Sequence, residues 1–265
     1  MKRFLCIALV ISVWLTGCGA IPGFNPTATA TFTPLPTNTP EPTLTPTASH
    51  TPTPVPTSTP DVEATQAAQA TQTAREVLTE LDESLGEESG IDYTVGQLLW
   101  QQTEEARIHL AGPDYDYAEI DDSPTAGNFI FKSDVTWEAT GLISCGAIFR
   151  SEPNIEQGKQ YLFSFLRFSG LPAWRIEVDQ FGRFLNSPTD IRFSDALDLD
   201  NGATNQFILV VRDNEFTLYL NRNREGRYFD YSSQRSAGTF AFFASQASGD
   251  GTCSFENSWI WSLDK

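Results

Sequence analysis

The chain has 265 residues with 17 basic and 34 acidic side chains, for a net charge of −17. So large an acidic excess excludes nucleic acid and anionic lipid as partners, because binding to them depends on Lys and Arg displacing counterions. Length allows one sizeable domain once the N-terminal stretch, which has the composition of leader and linker, is set aside.

Residues 1–17 read as a signal peptide. Met1-Lys2-Arg3 is a charged start, Phe4 to Leu15 is an apolar run too short to span a bilayer, and Leu15-Thr16-Gly17-Cys18 is the cleavage site. Leu-Thr-Gly-Cys resembles the bacterial lipobox, and that resemblance implies that Cys18 is lipidated and becomes the mature N-terminus. Anchoring by more than one acyl chain is stable. The expected location is therefore extracytoplasmic, lipid-anchored to the bacterial cell membrane.

Residues 18–60 hold the lipidated Cys and a tract of Thr and Pro, as in Thr51-Pro52-Thr53-Pro54-Val55-Pro56-Thr57. Such a composition buries too little apolar surface to offset its ordering entropy, which predicts a disordered stalk of polyproline II character. At about 3.1 Å per residue it reaches on the order of 100 Å. In residues 61–90, Asp61 supplies an N-cap, and Val62 to Leu85, rich in Ala, Gln, Glu and Leu without Gly or Pro, reads as a helix. Its apolar stripe, Val77, Leu78, Leu81 and Leu85, predicts docking of the C-terminal end on the following domain. A coiled coil would need several heptads, and only one is present.

Residues 91–265 form the head. Phe129, Phe131, Val135 and Trp137 alternate with Lys132, Asp134, Thr136 and Glu138, which predicts a strand with one buried and one solvated face. Similar runs follow at Leu142 to Arg150, Gln160 to Phe168, Trp174 to Asp179, Phe207 to Arg212, Phe216 to Leu220, Thr239 to Ala244 and Cys253 to Ser262. Turn-formers separate them, among them Gly170-Leu171-Pro172 and Asn201-Gly202. Many short strands with little helical pattern predict an all-β fold: an antiparallel two-sheet jelly-roll sandwich. Of the four cysteines, Cys6 leaves with the signal and Cys18 takes the lipid. Cys145 and Cys253 remain, and in an exported chain they are expected to form a disulfide.

Gly146-Ala147-Ile148-Phe149-Arg150, the hairpin Phe216-Thr217-Leu218-Tyr219-Leu220-Asn221 with Gly226, and the closing strand Phe255-Glu256-Asn257-Ser258-Trp259-Ile260-Trp261 resemble the concanavalin A-like lectin/glucanase superfamily. The nearest branch is the laminin-G-like group that includes 3-keto-disaccharide hydrolase-like domains. The resemblance spans residues 95–265 and implies a concave sheet face that holds sugar or protein ligands. Fold alone does not decide among them.

Catalytic motifs are scarce. His109, the single histidine of the head, lies between Ile108 and Leu110 as an ordinary strand residue, and no Gly-x-Ser-x-Gly elbow accompanies it. Glu119-Ile120-Asp121-Asp122-Ser123 is similar to the start of the glucanase Glu-Ile-Asp-x-Glu strand, but Ser123 stands where the last acid is needed. Asp121 and Asp122 read instead as turn caps. Asp195, Asp198, Asp200 and Asn201-Gly202 crowd oxygen ligands together, yet Leu197 and Leu199 occupy the positions where a calcium loop requires acids. No metal or cofactor is expected, with a looser calcium loop as the alternative to a plain Asx-type turn.

What remains is recognition by aromatic rings and convergent polar groups. Arg150, Tyr161, Arg167, Trp174 and Asn186 are the ligand-binding set expected from the strand order. Core packing is the competing account of Trp174 and Tyr161, and pairing with Glu177 or Asp179 that of the arginines. Arg222, Asn223, Arg224 and Arg227 read first as a hairpin tip and second as a contact for an acidic glycan. The expected function is non-catalytic binding of a carbohydrate or cell-envelope polymer by a monomeric head. A 3-keto-disaccharide hydrolase-like enzyme and a protein adhesion module are the alternatives. A carboxylate such as Glu177 or Asp179 in a concave pocket with a perturbed pKa would favour the enzyme. An exposed apolar patch would favour adhesion.

Overall fold

Helix α1 spans Val62–Leu85, the bounds that its Ala- and Glu-rich composition predicts. The computed structural model describes residues 62–86, 89–168 and 170–264, with side chains described for 67–86, 89–166 and 170–264. Cys18, the Thr/Pro tract and Asp61 lie outside them. The helix stops at Gly86, whose φ of 64° a side chain would disfavour and whose N–H bonds Asp82 O at 3.2 Å. The described residues from Val62 onward form one compact unit, and no described helix is long and apolar enough to cross a membrane.

Fourteen strands follow among the described residues. They are β1 (Gln97–Gln101), β2 (Ala106–Ala111), β3 (Asp114–Glu119), β4 (Phe129–Ala139), β5 (Leu142–Ser151), β6 (Lys159–Phe168) and β7 (Leu171–Gln180). The second half supplies β8 (Arg183–Asn186), β9 (Arg192–Phe193), β10 (Thr204–Arg212), β11 (Glu215–Leu220), β12 (Asn223–Phe229), β13 (Thr239–Ser248) and β14 (Asp250–Ser262). One sheet runs β1-β14-β4-β10-β11-β12, with β2 also on β14. The other runs β3-β13-β5-β6-β7-β8, with β9 on β7. Every pairing is antiparallel, and the whole is a jelly-roll sandwich.

The inner faces are filled by aromatic rings. Phe131 from β4 and Phe163 from β6 both pack on Phe207, with centroids 5.5 and 5.1 Å away, and Phe242 stacks on Phe255 at 4.5 Å. Cys145 on β5 and Cys253 on β14 form the expected disulfide, which ties one sheet to the other through the core. The strands that periodicity did not mark, β1 to β3, β8, β9 and β12, are mostly half-exposed edge segments. In β1, β3, β8 and β12 the residues do not alternate cleanly, because a neighbouring strand rather than a core dictates them. Strand β2 does alternate, burying Ile108 and Leu110, over a run too short to stand out.

The stripe of α1 lies on the outer face of the first sheet. Val77, Leu81 and Leu85 pack there with Ile130, Ile208, Trp259 and Trp261, each fully buried aliphatic side chain contributing on the order of 2 kcal/mol. This covering corrects one expectation. Lys132 was placed on a solvated face by alternation, yet it is 2% exposed. The helix buries it, and Glu80 at 3.1 Å, Asp134 at 3.0 Å and Asn257 O at 2.9 Å satisfy its ammonium. Glu80 also accepts the Trp259 indole N–H at 2.8 Å, so a single carboxylate pins helix to sheet.

Candidate functional site

Among the described residues no helix covers the outer face of the second sheet, which forms an open groove of about 730 Å³. Its floor follows from strand register. Leu162 on β6 lies opposite Ile148 on β5 and Glu177 on β7, and Gln160 lies opposite Asp179. Ile148, Leu162 and Ala241 on the sheet, with Ile155 from the β5–β6 connection, make a small apolar cluster separate from the main core. Along β7, Arg175, Glu177 and Asp179 line the groove, while the intervening Trp174, Ile176 and Val178 fill the core.

Aromatic groups make the walls. Tyr115 and Tyr117 rise from β3, Phe243 from β13, and Phe181 and Phe184 from the β7–β8 hairpin. Phe181 and Phe184 are more than half exposed. Phe181 has a φ of 56°, a conformation in which a bulky residue is uncommon and which sets its ring at the groove mouth. Gly182 beside it has a φ of 64°, and a Cβ there would lie 2.5 Å from Tyr115 Oη. The two borders of the sheet thus approach each other over the groove, and a side chain at position 182 would be strained by the positive φ and would displace the Tyr115 phenol.

Burial governs the electrostatics. Glu177 is 7% exposed, and desolvation raises its carboxyl above the ordinary range against the opposing pull of Arg175. Asp179 is raised by the same cause, while Gly182 N–H and Gln160 favour its charged form. Arg175 Nε lies 3.0 Å from Glu177 Oε2 but makes no hydrogen bond. Tyr117 is raised by burial and then by Glu156. Among the described residues, no group of three or more His, Cys, Asp or Glu is placed to hold a metal ion. Asp198 accepts Asp200 N–H at 2.9 Å, the plain Asx-type turn, and exposed His109 meets Thr252 Oγ1 at 3.0 Å.

The five residues expected to bind ligand are not gathered here. Trp174 is fully buried between the sheets, its indole N–H bonded to Glu225 at 3.1 Å. Tyr161 is 1% exposed, stacks on Phe149 and donates to Asp230; burial, and then that hydrogen bond, pushes its phenol up to about 12. Arg150, also 1% exposed, donates to Gly127 O and Arg235 O. Rings and guanidinium with no free surface cannot stack on a sugar, so core packing, the competing account of Trp174 and Tyr161, holds for those two, while Arg150 is held by backbone carbonyls rather than by Glu177 or Asp179. Asn186 is exposed outside the groove and bonds Ser232, and the Arg167 side chain lies outside those described. Asn221 and Arg222 form the β11–β12 turn, each at positive φ, and Asn221 is anchored on Ala196 O and Asn205. Arg222 thus sits at the hairpin tip, and Asn223, Arg224 and Arg227 follow on β12. Alternation would have found the groove: the residues one step along β7 from Trp174 face it.

No protein-family model matches the chain, and no curated protein sequence matches it. Among solved structures it is similar to a carbohydrate-binding module from Bacillus subtilis, at 16% identity and a TM-score of 0.42 over 58% of this chain and 94% of that one. It is also similar to a β-glucanase from Bacillus licheniformis, at 10% identity and a TM-score of 0.41 over 61% and 81%. Sheep galectin-11 in complex with glycerol aligns at 10% identity and a TM-score of 0.36 over 57% and 98%. The two-sheet antiparallel sandwich described above rests on the strand pairing of this chain and not on these likenesses.

Proposed function

We propose that this chain is an extracytoplasmic lipoprotein whose head binds a carbohydrate or cell-envelope polymer in the groove of the second sheet. Lipidation at Cys18 holds it at the membrane, and the Thr/Pro tract gives the head its reach, raising its effective concentration at the envelope. The observation that carries this reading is the pairing of an apolar floor and aromatic walls with a row of polar side chains, Gln160, Arg175, Glu177 and Asp179. Rings stack on the apolar faces of sugars, and convergent polar groups select their hydroxyls.

Glycan-array binding of the purified protein, alongside Tyr117→Ala and Phe184→Ala, tests it. Selective retention that either variant weakens is expected. Retention of no glycan, or binding indifferent to both variants, overturns the reading. A second reading, a glycan-processing enzyme of the 3-keto-disaccharide hydrolase-like kind, is favoured by one observation: Glu177 and Asp179 share the groove with raised pKa values. Release of new reducing ends from a retained glycan, abolished in Glu177→Gln, would establish that reading over simple binding.

A further inference from the structure

Three features of the groove together narrow its ligand, on the basis that the groove is the glycan site. The first is charge. Asp114, Asp116, Glu156, Glu177 and Asp179 face Arg175 as the sole basic side chain of the lining. An anionic sugar entering there would meet repulsion from four carboxylates in excess of the one cation. The second is a deep acceptor that still opens to the groove. Glu177 is 7% exposed and lies on the groove floor, ion-paired with Arg175 Nε at 3.0 Å but without a hydrogen bond from it. A carboxylate largely withdrawn from water yet facing an open groove accepts a ligand N–H or O–H strongly. The third is the wall of rings, Tyr115, Tyr117, Phe181 and Phe184, whose π faces attract a cation as well as stacking on a sugar.

We infer that the groove selects an amine-bearing glycan, a polymer of hexosamine with free ammonium groups, over neutral or acidic ones, with Glu177 as the acceptor for one ammonium. A hydroxyl would satisfy the hydrogen bond but leave the carboxylate excess uncompensated. An ammonium does both, and its charge is what the rings favour. Acetylating the nitrogen removes the charge and leaves the sugar backbone unchanged, which makes the acetylated polymer the matched control.

The test is calorimetric titration of the purified protein with the β-1,4-linked hexamer of glucosamine and with the same hexamer of N-acetylglucosamine. The glucosamine hexamer is expected to bind about tenfold or more tightly than its acetylated twin. That preference should shrink between about 0.05 M and about 0.5 M NaCl as the charges are screened. Glu177→Gln, which keeps the shape of the side chain, should lose most of the preference while keeping residual binding. Asp116→Asn, at the exposed wall, should lose a smaller part. Equal binding of the two hexamers, both weakened by Tyr117→Ala, would overturn the amine assignment while leaving the groove as a glycan site. A preference that persists unchanged in both carboxylate variants would overturn it as well. Failure of every glycan, on the array and in titration, would overturn the site itself.

Discussion

The two outer faces of the sandwich are built from the same alternation of strands and meet opposite fates. On the first sheet, outward-pointing Ile130, Ile208, Trp259 and Trp261 are apolar, and α1 covers them. On the second, the outward row along β7 is Arg175, Glu177 and Asp179, and no described element packs over it except where Tyr115 approaches the β7–β8 turn. A sheet face closed by its own chain is a second core, while a face left open with charged groups partly desolvated is a site. The covered face also shows that alternation alone does not identify solvent: Lys132 points outward from β4 and is nonetheless buried.

The largest effect breaks what both faces share. Cys145 and Cys253 are 108 residues apart and join the sheets behind both surfaces. Replacing both with Ala should cost on the order of 4 kcal/mol through the freed unfolded chain, read as a lower midpoint in denaturant unfolding. A cost near zero would show that the core alone holds the sheets in register.

Next comes the covered face. Leu81→Ala removes a fully buried side chain from under the helix and should cost about 3 kcal/mol. Red-shifted tryptophan emission should accompany the loss, since Trp259 and Trp261 lie beneath that stripe. Unchanged emission and stability would mean that the helix rests on the sheet without contributing to it.

The smallest effect has the opposite sign. Burial raises the Glu177 pKa, so the folded state holds that proton more tightly than the unfolded chain does. The associated stability is full at pH values below the unfolded carboxyl range and is lost as pH rises through the folded value. Glu177→Gln should therefore unfold at a higher temperature than wild type near pH 7 and at the same temperature near pH 3. A variant less stable than wild type at neutral pH would show that the ion pair with Arg175 outweighs the desolvation of Glu177. On the covered face no such gain is available, because Lys132 is matched there by Glu80 and Asp134.

Much of the fold was legible in residues. The bounds of α1 followed from an uninterrupted helical composition, and β4 to β7, β10, β11, β13 and β14 followed from period-two alternation over runs long enough to show it. The disulfide followed from counting cysteines. The site was harder. Trp174 and Tyr161 have the chemistry of a sugar platform, but each sits one position out of phase with the groove. Glu177 and Asp179 were visible as candidate partners and discriminators without any indication that they shared a pocket with Tyr115 and Phe181.

By itself the sequence determined the helix, the long strands, the paired cysteines and the polarity of the two faces of those long strands, because these depend on local composition and on neighbours two to four residues away. Tertiary structure alone decided which face of each sheet stays open. That choice depends on where α1 lands and on how β3 and the β7–β8 hairpin, separated by about 60 residues of chain, curl to enclose one groove. Burial of Glu177, 7% exposed on the groove floor, exists only once those distant segments have met.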